Sequence, residues 1–333
     1  MAFRLASLAV ACVMGLLAAT GCGNPSFLVT PVYPTEGLKE VTVQPPPRDA
    51  RGKGGKIAII ELEGVLLNAR TGGLLQPQEN PVNRFVEALS KAEADNEVLA
   101  VVVRVNSPGG SVSASDTLYE ELKRFRQRSK KPVIASVQDV GASGAYYVAC
   151  AADTIVVQPT SVVGSIGVIF QTINVSGTMS RIGLTADAIK SGPNKDAGSP
   201  LRPMSPEERQ IFQSMIDDFH GRFQQVVRNR PGGRPLANEA AAFDGRVFPG
   251  DRAVQMGLAD RTGTLPDALD LARQKVGAPR ARAVMYKLPF SQQGSIYAST
   301  PAAPPSANVH TLRLPGFPTS AELPPGFYYL WEP

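Results

Sequence analysis

The run VLAVVVRV at 98–105 constrains the fold of this chain more than any other feature. It is apolar at every position but Arg104 and rich in β-branched valine, so it offers no polar face to water. A strand of this kind is buried on both sides, as in a parallel sheet with helices packed on each face. The middle of the chain supplies the remaining pieces. KIAIIEL (56–62), KPVIASV (131–137) and TIVVQ (154–158) read as further strands. NPVNRFVEALSKAEAD (80–95) reads as a helix capped by Asn80, with Pro81 in its first turn and Val82, Phe85, Val86 and Leu89 on one face. SASDTLYEELKRFRQRS (113–129) places Leu118, Leu122 and Phe125 at helical spacing, and a short helix is expected over 143–151. The longest helix is SPEERQIFQSMIDDFHGRFQQVVRNR (205–230), where Ser205 and Glu208 are spaced for a capping box and Ile211, Met215, Phe219 and Phe223 form an apolar stripe. Alternating strands and helices imply right-handed crossovers, so the chain is expected to form one α/β domain over roughly 56–275, with no internal repeat.

The flanks have a different composition. Residues 1–21 hold one positive charge, Arg4, then an apolar stretch that ends in small residues before Cys22. That layout is a secretory signal, too short for a full membrane span. Ala19-Thr20-Gly21-Cys22 resembles a bacterial lipobox, which would make Cys22 the lipidated first residue and replace a span by an anchor. An ordinary signal peptide or an uncleaved anchor is the alternative, and each reading puts the folded part outside the cytoplasm, in the cell envelope. Residues 22–55 and 276–333 are rich in proline and read as a linker and a disordered extension, the second ending in the aromatic cluster FYYLWEP.

Charge and rare residues exclude several functions. Lys plus Arg number 34 against 29 Asp plus Glu, net +5, with the basic residues scattered, so no nucleic-acid footprint is read. The three cysteines, at 12, 22 and 150, form no metal-ligand spacing, so neither a metal nor a cofactor is expected, and Cys150 reads as a buried packing residue. The only histidines are His220, mid-helix, and His310, in the proline-rich tail. A Ser-His-Asp triad is therefore poorly supplied.

Two strand-to-helix junctions carry candidate chemistry. NSPGGSVSAS (106–115) presents Gly109 and Gly110, whose N–H groups could stabilise an oxyanion, although a tight turn accounts for the same residues. GASGA (141–145) puts Ser143 at a helix start and partly resembles a nucleophile elbow, with Ala145 at the final glycine position. On its own such a serine reads as a helix cap. A nucleophilic serine needs a base, and lysine is the remaining choice, provided its ammonium, with an ordinary pKa of about 10.4, sheds its proton. AIKSGPNKDAGSP (188–200) offers Lys190 and Lys195, each of which alone reads as a solvated loop charge.

Taken together, RVNSPGGSV (104–112), GASGAYYVACAADTIV (141–156), PTSVVGSIGVI (159–169), KSGPNKD (190–196) and FDGRVFPGDRAVQMGLAD (243–260) resemble the signal peptide peptidase A family of bacterial serine peptidases, in family order and across nearly the whole middle domain. That family is related in fold to ClpP and the crotonases. The resemblance implies Ser143 as nucleophile, Lys195 as general base, Ser165 as the hydroxyl that orients the lysine amine, and Gly110 with the N–H of Gly144 as the oxyanion hole. Lys190 receives no role. Ala145 and Asn194 depart from a glycine and an aromatic common at their positions. Short family members resemble rings in which neighbouring protomers contribute Ser and Lys, and their substrates are cleaved signal peptides and other extended peptides. Two alternatives stay open: a crotonase-like enzyme acting on a CoA thioester, and a catalytically silent envelope scaffold of the same fold.

Overall fold

The computed structural model describes residues 37–69, 80–288, 294–298 and 326–331. All of these lie in one compact unit, Glu36–Pro333. The readings placed on the signal segment, Cys22, His310 and the disordered character of the outer termini lie outside the described residues.

The chain opens with β1 (Lys39–Gln44), β2 (Lys56–Leu66), α1 (Pro81–Ala94), β3 (Val98–Ser111) and α2 (Val112–Ser129). Next come β4 (Val133–Ala142), α3 (Gly144–Ala149), β5 (Thr154–Val157), β6 (Val162–Gly164), β7 (Ile169–Gln171) and α4 (Ser176–Arg181). The long α5 (Pro206–Arg228) leads to α6 (Glu239–Ala242), β8 (Val247–Pro249), α7 (Gly250–Gln255), β9 (Arg261–Thr262) and α8 (Leu265–Lys275). The last described strands are β10 (Arg282–Lys287) and β11 (Gly326–Leu330).

Among the described residues the strands join one sheet whose main path runs β1-β10-β2-β3-β4-β5-β9. From β10 to β9 every neighbouring pair is parallel, and β1 closes one edge antiparallel to β10. The strand alternation sorts side chains onto two cores. Ala58, Ile60, Val101, Val103 and Val105 face the side packed by α1, α2 and α3. Ile57, Ile59, Ala100 and Val102 face the side packed by α8 through Leu265, Ala268, Leu269 and Ala272. The valine run is thus buried on both faces, as its composition requires. The helix caps form as the sequence predicts: the Asn80 side chain accepts the N–H groups of Val82 and Asn83, and Ser205 and Glu208 make a reciprocal capping box.

The structure departs from the sequence pattern at three places. The sheet reaches beyond 56–275, because β1 falls in the stretch read as linker and β10 and β11 in the stretch read as tail. Short alternating segments such as Val41/Val43 find a sheet edge to pair with, which average composition does not reveal. β3 continues through Asn106-Ser107-Pro108-Gly109-Gly110 to Ser111 where a loop was expected, because Leu66 of β2 pairs with Gly110 on one side and Tyr329 of β11 on the other. The stripe of α5 is buried only towards its C-terminal half: Phe223, Val226 and Val227 are covered, while Ile211 stays exposed.

Candidate active site

Ser143 stands where β4 gives way to α3. Its φ of 49° and ψ of −119° lie in a region that side-chain-bearing residues rarely adopt. It occupies the N-cap position, yet its side chain makes no capping hydrogen bond. The helix-cap reading is therefore not what the hydroxyl does. Backbone contacts hold the conformation: the Ser143 N–H donates to the Gly164 carbonyl at 2.8 Å, and the Ser143 carbonyl accepts from the Tyr147 N–H at 2.9 Å.

Ser165 sits beside it for a topological reason. β4 and β6 run parallel with Ala142 opposite Gly164, so Ser143 and Ser165 are the residues that leave two adjacent strand ends. Ser165 also has a positive φ, 51°, and its N–H donates to Arg246 O at 2.8 Å. Both serines are buried.

Gly110 meets Gly144, the residue that follows Ser143. A Cβ added to Gly144 would fall 3.2 Å from the Gly110 nitrogen and 2.2 Å from Ser115 Oγ. A Cβ on Gly109, at φ 105°, would fall 2.7 Å from the Gly144 nitrogen. Only glycine lets these backbones approach, which brings the two candidate oxyanion N–H donors to one small space. Ser115 is a neighbour that the sequence did not single out, since nothing distinguishes it within SVSAS.

The two candidate lysines differ in their surroundings. Lys190 Nζ is bound to Asp196 Oδ1 at 2.5 Å and to the Pro193 carbonyl at 3.1 Å. Asp196 also takes the guanidinium of Arg202, which reaches on to Glu208, and these cations hold its carboxyl well below the usual carboxylate range. Lys195 lies exposed in the same loop; its backbone N–H donates to Gly192 O at 3.2 Å, but its amine bonds to no described residue. No hydrogen bond joins Lys195 to Ser143 within the protomer. His220 is half-buried beside Gln224, and Cys150 is fully buried, with its thiol pushed up to about 12 by burial.

An aromatic cluster gathers around Tyr147, whose N–H donates to the Ser143 carbonyl. Tyr147, one turn into α3, stacks on Tyr329 with centroids 5.2 Å apart and meets Phe223 edge-on at 5.0 Å. Its hydroxyl donates to Asp116, which Arg222 also engages, and burial with the Asp116 bond drives the Tyr147 hydroxyl pKa far up. Nothing in the GASGAYYVAC motif separates Tyr147 from Tyr146 as a member of this cluster, and Tyr329 comes from the aromatic run at the end of the proline-rich stretch.

The model of Peptidase family S49 matches residues 125–278 of this chain. A Methanocaldococcus jannaschii protein provisionally named a protease is 36% identical over 65% of this chain and 68% of its own length. An Enterococcus faecium protein provisionally named signal peptide peptidase SppA is 31% identical over 75% of this chain and 72% of its own. The chain belongs to peptidase family S49. Protease 4 of Haemophilus influenzae is also similar, 32% identical over 69% of this chain but only 36% of its own length. As an S49 member the protein is a serine peptidase, a hydrolase, and not the CoA-thioester enzyme that the same glycine loop would also serve. The mixed α/β sheet with its mostly parallel core is the fold the family resemblance implied.

Proposed function

We propose that this S49 peptidase is an endopeptidase with a Ser-Lys dyad, in which Ser143 is the nucleophile and Lys195, from a neighbouring protomer, is the base. The observation that carries this reading is Ser143 itself: a serine held at positive φ, with its hydroxyl withheld from the helix cap, next to the paired N–H groups of Gly110 and Gly144. Neutral Lys195 takes the proton of Ser143 Oγ as it attacks a peptide carbonyl, and the two glycine N–H groups hold the oxyanion. The lysine then protonates the leaving amine, and water hydrolyses the acyl-enzyme. Ser165 orients the lysine amine.

Delivery by a neighbour is supported by where Lys195 sits. The arm between β7 and α5 carries it together with Ile173, Ile182, Leu184, Ile189 and Leu201, all exposed apolar side chains, and α4 within the arm buries nothing. An apolar exposed arm of this size suits contact with a second copy in a ring. The substrates are extended peptides, cleaved signal peptides among them. The domain works on the extracytoplasmic side, anchored through a lipid on Cys22; no helix of the described residues is long and apolar enough to cross a membrane. The reading is tested by labelling the assembled protein with a fluorophosphonate probe, which should modify wild type and spare Ser143→Ala and Lys195→Ala. An unlabelled wild type would overturn the assignment of Ser143 and Lys195.

A further inference from the structure

The feature that the proposed mechanism does not use is β11. This strand enters the sheet between the glycine end of β3 and the short β7, antiparallel to both. Tyr328, Tyr329 and Leu330 lie opposite Ser111, Gly110 and Gly109, while Gly326, Phe327 and Tyr328 lie opposite Gln171, Phe170 and Ile169. The Trp331 N–H donates to the Pro108 carbonyl at 2.9 Å. In an antiparallel ladder that bond flanks the Leu330/Gly109 pair, so the next pair, Tyr329/Gly110, exchanges both of its main-chain bonds. The Gly110 N–H therefore points at the Tyr329 carbonyl. The same oxygen lies 3.0 Å from where a Cβ of Gly144 would stand and 2.1 Å from that of Gly109. The Tyr329 carbonyl thus fills the space that the two candidate oxyanion donors share.

The side chains follow the strand's alternation. Tyr329 is wholly buried, stacked on Tyr147, with Phe223 at 4.8 Å and its hydroxyl donating to the Phe219 carbonyl at 2.8 Å. Two residues earlier on the same face, Phe327 packs with Phe170 and Phe219. A permanent strand in this place would close the oxyanion site to any substrate, which a working peptidase does not tolerate.

We propose that the channel between β3 and β7 is the peptide-binding groove, that its primary pocket, built by Tyr147 and Phe223, takes an aromatic side chain, and that residues 326–331 are a resident, displaceable occupant presenting Tyr329 as a substrate would present the residue before the cleaved bond. This rests on the Ser143 reading and adds to it the substrate class: extended, aromatic-bearing segments bound by strand addition. A tethered strand competes at an effective concentration of about a millimolar, so it holds the groove against weak ligands and yields to good ones.

The test uses the full-length assembly and matched fluorogenic peptides that differ only in Tyr, Phe, Ala or Lys before the cleaved bond. Tyr329→Gly should lower KM for the Tyr peptide and speed fluorophosphonate labelling of Ser143, each on the order of tenfold, with kcat unchanged. Tyr329→Phe should keep the wild-type KM, and Tyr and Phe peptides should be cut at least about tenfold faster than Ala or Lys. A synthetic GFYYLW peptide should inhibit the Tyr329→Gly enzyme competitively. An active Tyr329→Gly enzyme with wild-type KM, or no aromatic preference, overturns the inference and leaves the Ser143 reading standing. A Tyr329→Gly chain that fails to fold makes β11 a fixed part of the sheet and overturns it too. If neither wild type nor Tyr329→Gly is labelled, the Ser143 reading itself fails, and this inference with it.

Discussion

The Ser143 N–H donates to the carbonyl of Gly164 at 2.8 Å, so the strand end that carries Ser165 also clamps the candidate nucleophile at its positive φ. Strain of this kind costs about 1–3 kcal/mol and persists only where neighbouring structure over-determines it. Because the hydroxyl caps nothing, Ser143→Ala should abolish hydrolysis while leaving thermal stability within about 0.5 kcal/mol of wild type. A differential scanning measurement beside a peptide assay checks this, and a large loss of stability would give the side chain a structural role.

Gly144→Ala should act in the opposite manner. Its Cβ would stand 2.2 Å from Ser115 Oγ, so the site must shift, at about 1–3 kcal/mol for overpacking. The displaced N–H should lower kcat by about a hundredfold or more. Adding Ser115→Gly should recover melting temperature without recovering kcat, since the new Cβ still lies against the Gly110 nitrogen. Equal recovery of both would remove the Gly144 N–H from the oxyanion site.

The arm that bears Lys195 is held by Asp196, whose carboxyl is kept below its ordinary range by hydrogen bonds from Arg202 and Lys190. A depressed carboxyl pKa contributes stability that is complete above the ordinary value, about 3.8, and is lost as pH falls through the folded value. Amide exchange over 190–205, taken relative to the intrinsic rate at each pH, should therefore quicken below about pH 4 while the β3 core stays protected. Asp196→Asn should quicken it already at neutral pH, and unchanged exchange in that variant would release the arm from Asp196.

A buried charge cluster gives a stability prediction far from the chemistry. Glu61 accepts from Arg104 at 2.6 Å and from Lys287 at 2.9 Å, and all three are nearly sealed from water. Glu61→Gln leaves two buried cations short of a counter-charge and should cost about 3–5 kcal/mol in urea unfolding. A loss below about 1 kcal/mol would show that Glu63, also bound to Arg104, compensates alone.

Much of this was legible in the residues because burial writes itself into composition. The valine run at 98–105, the Asn80 cap and the Ser205/Glu208 box all form where spacing puts them. The strand character of Pro108-Gly109-Gly110 was hidden, since those residues carry turn signals and become strand only through partners at Leu66 and Tyr329, distant in sequence. β11 was hidden for a related reason: five residues in a proline-rich stretch change no average, and only the groove they fill explains their aromatic content. Lys195 was the least legible. Nothing local separates it from Lys190, and within one protomer it touches no candidate catalytic group, so only the family motif selects it.

That separation makes mixed assemblies the most direct test of the dyad. Ser143→Ala and Lys195→Ala chains, each inactive alone, should be unfolded, mixed in equal amounts and reassembled. If Ser143 and Lys195 meet across an interface, about a quarter of the sites regain both groups, and hydrolysis returns to about that fraction of wild type. Mixed assemblies that form and stay inactive would contradict the account.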